Sequence, residues 1–127
     1  MTQLTLLALF ALAWVPTPVP TTPVDFDTEA PFLATDFVNN AVRADMTYKG
    51  KRLRVGGRIK SIDIDITGSP YVVLAGSAGV DVQCFFDAPE RAFVASLHKD
   101  QQVTLIGECS GKPLNGVLMQ HCKNGWP

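Results

Sequence analysis

Between Lys49 and Ile66 the chain reverses its alternation midway, and that reversal limits the folds open to it. Leu53, Val55, Gly57 and Ile59 alternate with Arg52, Arg54, Gly56 and Arg58. This is the pattern of a strand with one apolar and one basic face. Past Ser61 the parity flips: Ile62, Ile64 and Ile66 become the apolar set, opposite Asp63 and Asp65. A one-residue slip moves every side chain to the other face, so a single-residue bulge near Lys60 is predicted. Gly56-Gly57 marks a further bulge or sharp bend. A long, kinked first strand is what a small barrel needs to curve around its own core.

The flanking segments supply the other elements. Thr67-Gly68-Ser69-Pro70 is a turn signal, and Tyr71 to Leu74 a second strand. Gly76 to Gly79 is a second turn. Val80 to Phe86 is a third strand with Val80, Val82, Cys84 and Phe86 on one face. Pro89 opens a short helix through Leu97, with Ala92, Phe93 and Leu97 turned inward. Gln102 to Cys109 is a fourth strand. Upstream, Thr28 to Ala44 reads as a helix whose inward positions are Phe32, Phe37, Val38, Ala41 and Val42. Thr28 or Asp27 caps its start, Glu29 suits the helix dipole, and Pro31 is tolerated in the first turn.

Asn115-Gly116 predicts a two-residue type I′ hairpin before the fifth strand. With those residues central, Leu114 faces Val117 and, continuing outward, Cys109 faces Cys122. That is a non-hydrogen-bonded pair with α-carbons about 4.5 Å apart, near the short end of the disulfide range. A Cys109–Cys122 disulfide is therefore predicted, leaving Cys84 as a buried thiol. A loop of about 13 residues closed this way contributes a few kcal/mol in the loop-entropy account. A Cys84–Cys122 bridge and three reduced cysteines are the alternatives.

The order strand–strand–strand–helix–strand–strand, preceded by a helix, is that of an OB-fold. The predicted architecture is mainly β: a five-stranded Greek-key barrel with an N-terminal helix and a short helix between strands 3 and 4. The residues also resemble a known family. Asn39-Asn40, Ala44-Asp45 and Tyr48-Lys49-Gly50-Lys51 lead into the first strand. Val55-Gly56-Gly57, Pro70-Tyr71-Val72 and Val82-Gln83-Cys84-Phe85 follow. Val103 to Gly111 and Leu118 to Cys122 complete the series. Over about residues 33–122 the chain resembles the tRNA-anti-like OB-fold proteins, small secreted or envelope-associated bacterial and phage-encoded domains. The resemblance implies the barrel and carries over no catalytic residue.

The 127 residues fit one domain, and 46% apolar against 18% charged content is globular. A net charge of −1 gives no overall pull toward nucleic acid or anionic lipid. The apolar excess gathers at Leu4 to Val15, which is shorter than the roughly 20 residues of a membrane span. It reads as the core of a secretory signal, with Ala11-Leu12-Ala13 as the cleavage pattern, or as a retained apolar arm that packs on a partner or a membrane. The n-region lacks Lys and Arg, and no cysteine lies nearby for a lipoprotein anchor. The expected organisation is an arm or signal over 1–14, a proline-rich polyproline II linker over 15–27, and the OB-fold domain over 28–127.

Few residues suggest chemistry. Gly107-Glu108-Cys109-Ser110-Gly111 imitates a nucleophile elbow but runs into a hairpin instead of a helix. Asp63, Asp65 and Gly68 imitate the start of a calcium loop, yet Leu74 stands where its bidentate acid belongs. His98 and His121 lack zinc-site spacing. No enzyme activity, metal or cofactor is expected. The basic strand is the one constellation with a ligand meaning. Lys49, Lys51, Arg52, Arg54, Arg58 and Lys60 are its candidate cations, with Tyr71 and Phe85 as stacking platforms. The rival account is a solvated face answered by the acidic segment Asp25–Asp45. The expected function is a non-catalytic binding or interaction domain, exported and engaging a protein partner in an envelope or phage context. The alternatives are a virion-type structural subunit docking through its apolar arm, and single-stranded nucleic-acid binding through the basic strand.

Overall fold

A computed structural model describes residues 23–126. The apolar segment 1–14 and residues 15–22 of the expected linker lie outside the described residues. The elements are β1 (Phe26–Glu29), α1 (Ala30–Asn39), α2 (Ala41–Tyr48), β2 (Arg52–Ile64), β3 (Pro70–Ser77) and β4 (Val80–Phe86). A 3₁₀ turn (Ala88–Glu90) and α3 (Arg91–Ala95) follow, then β5 (Gln102–Cys109) and β6 (Gly116–Asn124). Among the described residues no helix is long and apolar enough to cross a membrane.

The sheet closes on itself. β2 pairs antiparallel with β3, and β3 with β4; β4 then runs parallel to β6, β6 antiparallel to β5, and β5 back to β2. This is the predicted five-stranded Greek-key barrel, with helices before its first strand and between its third and fourth. Closure depends on β2 serving two neighbours. Arg52 to Arg58 pair with β5, while Ile59 to Ile64 pair with β3. The register shifts between Ile59 and Ser61, so the expected bulge lies at Lys60. Leu53, Val55 and Ile59 are fully buried. Beyond the bulge the strand overruns the barrel, leaving Ile64 and Ile66 exposed instead of inward.

The glycine pair does not bulge: Gly56 and Gly57 hold unbroken register opposite Thr104 and Val103. Gly57 serves close approach instead. A Cβ there would stand 3.1 Å from the Ala30 Cβ and 3.2 Å from the Leu74 Cβ, so α1 seats directly on the strand.

The N-terminal region differs from the single helix expected over Thr28 to Ala44. Phe26 to Glu29 form a short strand parallel to β2, pinned where the Asp25 N–H donates to the Arg52 carbonyl (2.8 Å). Glu29, not Thr28 or Asp27, occupies the α1 N-cap. Asn40 leaves helical backbone and its side chain accepts from the Arg43 N–H, starting α2 afresh. The break rotates the inward stripe. Ala30, Leu33, Ala34 and Phe37 are buried, while Phe32, Val38 and Val42 face solvent. Val94 of α3 and Leu97 just beyond it turn inward, and Ala92 is exposed.

The last hairpin also departs from expectation. The type I′ signature, positive φ at both central residues, occurs at Ala78-Gly79 between β3 and β4. Ser110 to Asn115 make a longer connection instead, and Cys109 stands opposite Met119, not Cys122. β6 carries its own irregularity, with register shifts against both neighbours around His121, whose φ is +54°. That extra residue lets Met119 and Cys122 both point inward despite their odd spacing.

Candidate binding face

The six cations of the basic segment divide into two groups. Arg54 Nη1 meets Asp27 Oδ2 at 3.2 Å, Arg58 Nη1 meets Asp100 Oδ1 at 2.7 Å, and Lys60 Nζ meets Asp81 Oδ2 at 2.7 Å. One partner, Asp27, comes from the acidic N-terminal segment; the others come from the β3–β4 and α3–β5 sides. Burial pushes the Asp81 carboxyl up, but Lys60 and the Gly76 N–H outweigh it and hold it below its ordinary value. Lys49, Lys51 and Arg52 are exposed at the α2–β2 junction, without an ion pair among the described residues. Arg52 stands opposite Glu108 in the sheet register. Pairs at such exposure contribute about 0–1 kcal/mol each. Their consequence is electrostatic: three of the six cations already have a carboxylate.

Tyr71 and Phe85 are cross-strand partners on the outer surface of β3 and β4. Their rings stack with centroids 4.9 Å apart and planes 25° from parallel. Arg54 lies where β2 runs between β1 and β5, and Arg58 stands opposite Gln102 of β5, whereas the stacked pair lies on β3 and β4. Arg54 and Arg58 thus lie on the β5 side of the barrel, whereas Lys60 reaches Asp81 on β4, the strand that carries Phe85.

The surroundings of the stack are amide-rich and acidic. Asp63 is the β2 partner of Tyr71, and Gln83 the β4 partner of Leu118. Beside Phe85 lies a depression of about 360 Å³ reaching Asp65, Asp87, Leu118, Gln120 and His121. Asp87 Oδ2 meets His121 Nδ1 at 2.9 Å, and that hydrogen bond raises the imidazole above its ordinary pKa. Asp65 is occupied by its own turn. Its Oδ1 accepts from the Thr67 hydroxyl, the Thr67 N–H and the Ser69 N–H, which lowers its pKa. The calcium-like spacing therefore reflects an Asx turn. Among the described residues no cluster of three His, Cys, Asp or Glu is placed to hold a metal.

The cysteines are buried, unbonded thiols. Cys84 and burial together push the Cys122 thiol well up, and burial raises Cys109. A protonated thiol in the core is a poor nucleophile, which removes the basis of the elbow-like pattern at Cys109. Gly107 accommodates the Cys122 sulfur: a Cβ there would lie 2.5 Å from it. The expected Cys109–Cys122 disulfide is not found, because the longer connection and the His121 bulge shift the register that would have paired them.

Sequence reading missed Gln83, Gln120, Asp87 and His121. The signal was present for one of them: Gln83 shares the outward positions of β4 with Phe85, one step out of phase with Val82, Cys84 and Phe86.

Comparison with known proteins adds three findings. The tRNA_anti-like family model matches residues 18–123. No curated protein matches the sequence. Among solved structures, a Klebsiella pneumoniae subsp. pneumoniae protein provisionally named a nucleic acid-binding lipoprotein superposes with a TM-score of 0.65. The match covers 81% of this chain and 98% of that one at 22% identity, a likeness that carries the fold.

Proposed function

The chain belongs to the tRNA_anti-like family, and from that premise we propose that it is a non-catalytic binding module engaging a polypeptide through the outer face of β3, β4 and β6. The observation that carries this reading is the placement of Arg54 and Arg58 on the β5 side of β2, away from the β3–β4 stack, with Lys60, the cation that reaches β4, held by Asp81. A nucleic-acid groove needs cations beside its stacking rings, because phosphate neutralisation and counterion release supply most of the affinity. Here the rings of Tyr71 and Phe85 adjoin Asp63 and Asp87, and Arg54, Arg58 and Lys60 already have carboxylate partners. Aromatic rings with adaptable amides such as Gln83 and Gln120 suit a polypeptide surface. An envelope location fits the apolar segment Leu4–Val15. The lipoprotein name of the Klebsiella structure points the same way.

A second reading, single-stranded nucleic acid, is favoured by the stacked pair itself. It lies on the strands that bind oligonucleotides in other OB-folds. One experiment separates the two. A photoreactive phenylalanine analogue at position 85 is expected to crosslink a discrete polypeptide in the native cell, and the same analogue at position 99 is not. Adducts that disappear with nuclease treatment, or no adduct at position 85, would overturn the polypeptide reading.

A further inference from the structure

We propose that a second site, independent of the β3–β4 face, takes a cationic side chain of a partner polypeptide in the groove between β1, the start of α1 and the C-terminal tail. The groove encloses about 650 Å³, within the usual range of about 300–1,000 Å³ for ligand clefts. Its walls include two aromatic rings that the fold leaves out of the core: Phe32 is 66% exposed and Trp126 is 73% exposed. An exposed ring presents the negative face of its quadrupole to a cation.

The charges in the groove are unequal. Arg54 is engaged, by Asp27 at 3.2 Å and by the Gly125 carbonyl at 3.3 Å. Glu29 has no ion pair among the described residues. Its carboxylate lies over the floor of the groove, where Oε1 is 3.8 Å from a Cβ built on Gly56. One unpaired carboxylate in a groove also lined by two exposed rings matches an ammonium or guanidinium group and repels an anion. The flexible stem of Lys or Arg packs along the rings while its head reaches Glu29.

Trp126 is the natural reporter, because the sequence holds only one other tryptophan, Trp14. In the full chain carrying Trp14→Phe, emission is followed as a lysine decapeptide, a glutamate decapeptide or a ten-residue oligothymidylate is added. The lysine peptide is expected to change Trp126 emission, with affinity that falls as salt rises. Glu29→Gln and Phe32→Ala are each expected to weaken it about two- to fivefold. Both positions are exposed, so circular dichroism should show both variants folded. A response that both variants retain in full, no response to the lysine peptide, or a response to the glutamate peptide or the oligonucleotide in its place overturns the proposal.

Discussion

His121 combines a strained backbone with a titratable contact. A positive φ is uncommon outside glycine, yet this residue supplies the extra position that turns Cys122 inward. Its ring meets Asp87, which raises its pKa. The folded value lies above the unfolded one, so the pair's stabilisation is complete below the ordinary histidine value of about 6.5. It is lost as pH rises through the raised folded value. Asp87→Asn is expected to return the His121 titration, followed by NMR, toward its ordinary value. Denaturant melts should show the variant less stable than the parent near pH 5, with the difference closing at alkaline pH. A His121 titration unchanged by Asp87→Asn would sink this account.

At the scale of elements, interruptions matter more than the regular spans. Asn40 divides the N-terminal helix and caps its second half through Arg43. Asn40→Ala is expected to cost about 1 kcal/mol in urea unfolding. A larger part of the strand pattern was legible than of the helices. Strand parity located the Lys60 bulge and the inward set Val82, Cys84 and Phe86, because period two tolerates no slip. The same test applied to β6, where Val117, Met119 and Cys122 break parity, marks the His121 bulge. Helical period is more permissive: Phe32 and Phe37 both fit one stripe until the Asn40 break and the β1 strand fix which face turns inward. The hairpin failed for a different reason. Asn115-Gly116 is a strong local turn signal, but the loop from Ser110 is held by bonds between Ser110, Gly111 and Leu118. Of the candidate face, alternation shows that Tyr71 and Phe85 point outward, but that they stack on each other, and that Arg54 and Arg58 lie beside β5 instead, depends on barrel closure.

At the scale of the whole molecule, α1 completes the core that the strands enclose. Leu33 and Phe37 join the buried cluster of the barrel, and Tyr48 from α2 packs beside Phe37 with ring centroids 6.1 Å apart. Tyr48 also donates to Asp36, tying the two helices; burial and that bond push its pKa up to about 12. Phe37→Ala removes a ring that is 2% exposed and is expected to cost about 3–5 kcal/mol, measured by thermal or denaturant unfolding. Little or no loss would mean that α1 does not complete the core. Charge is likewise matched only in the assembled molecule: Arg54, Arg58 and Lys60 of β2 meet carboxylates from three separate parts of the chain, Asp27, Asp100 and Asp81. β1 carries a mechanical consequence. It lies parallel to β2 through four successive partners, Phe26–Leu53 to Glu29–Gly56, and the preceding chain leaves from its start. Tension drawn along the strand axis through that segment loads these contacts together, in shear, instead of peeling them one after another. A pull on the chain at Phe26 along the strand axis is therefore resisted by all four pairs at once.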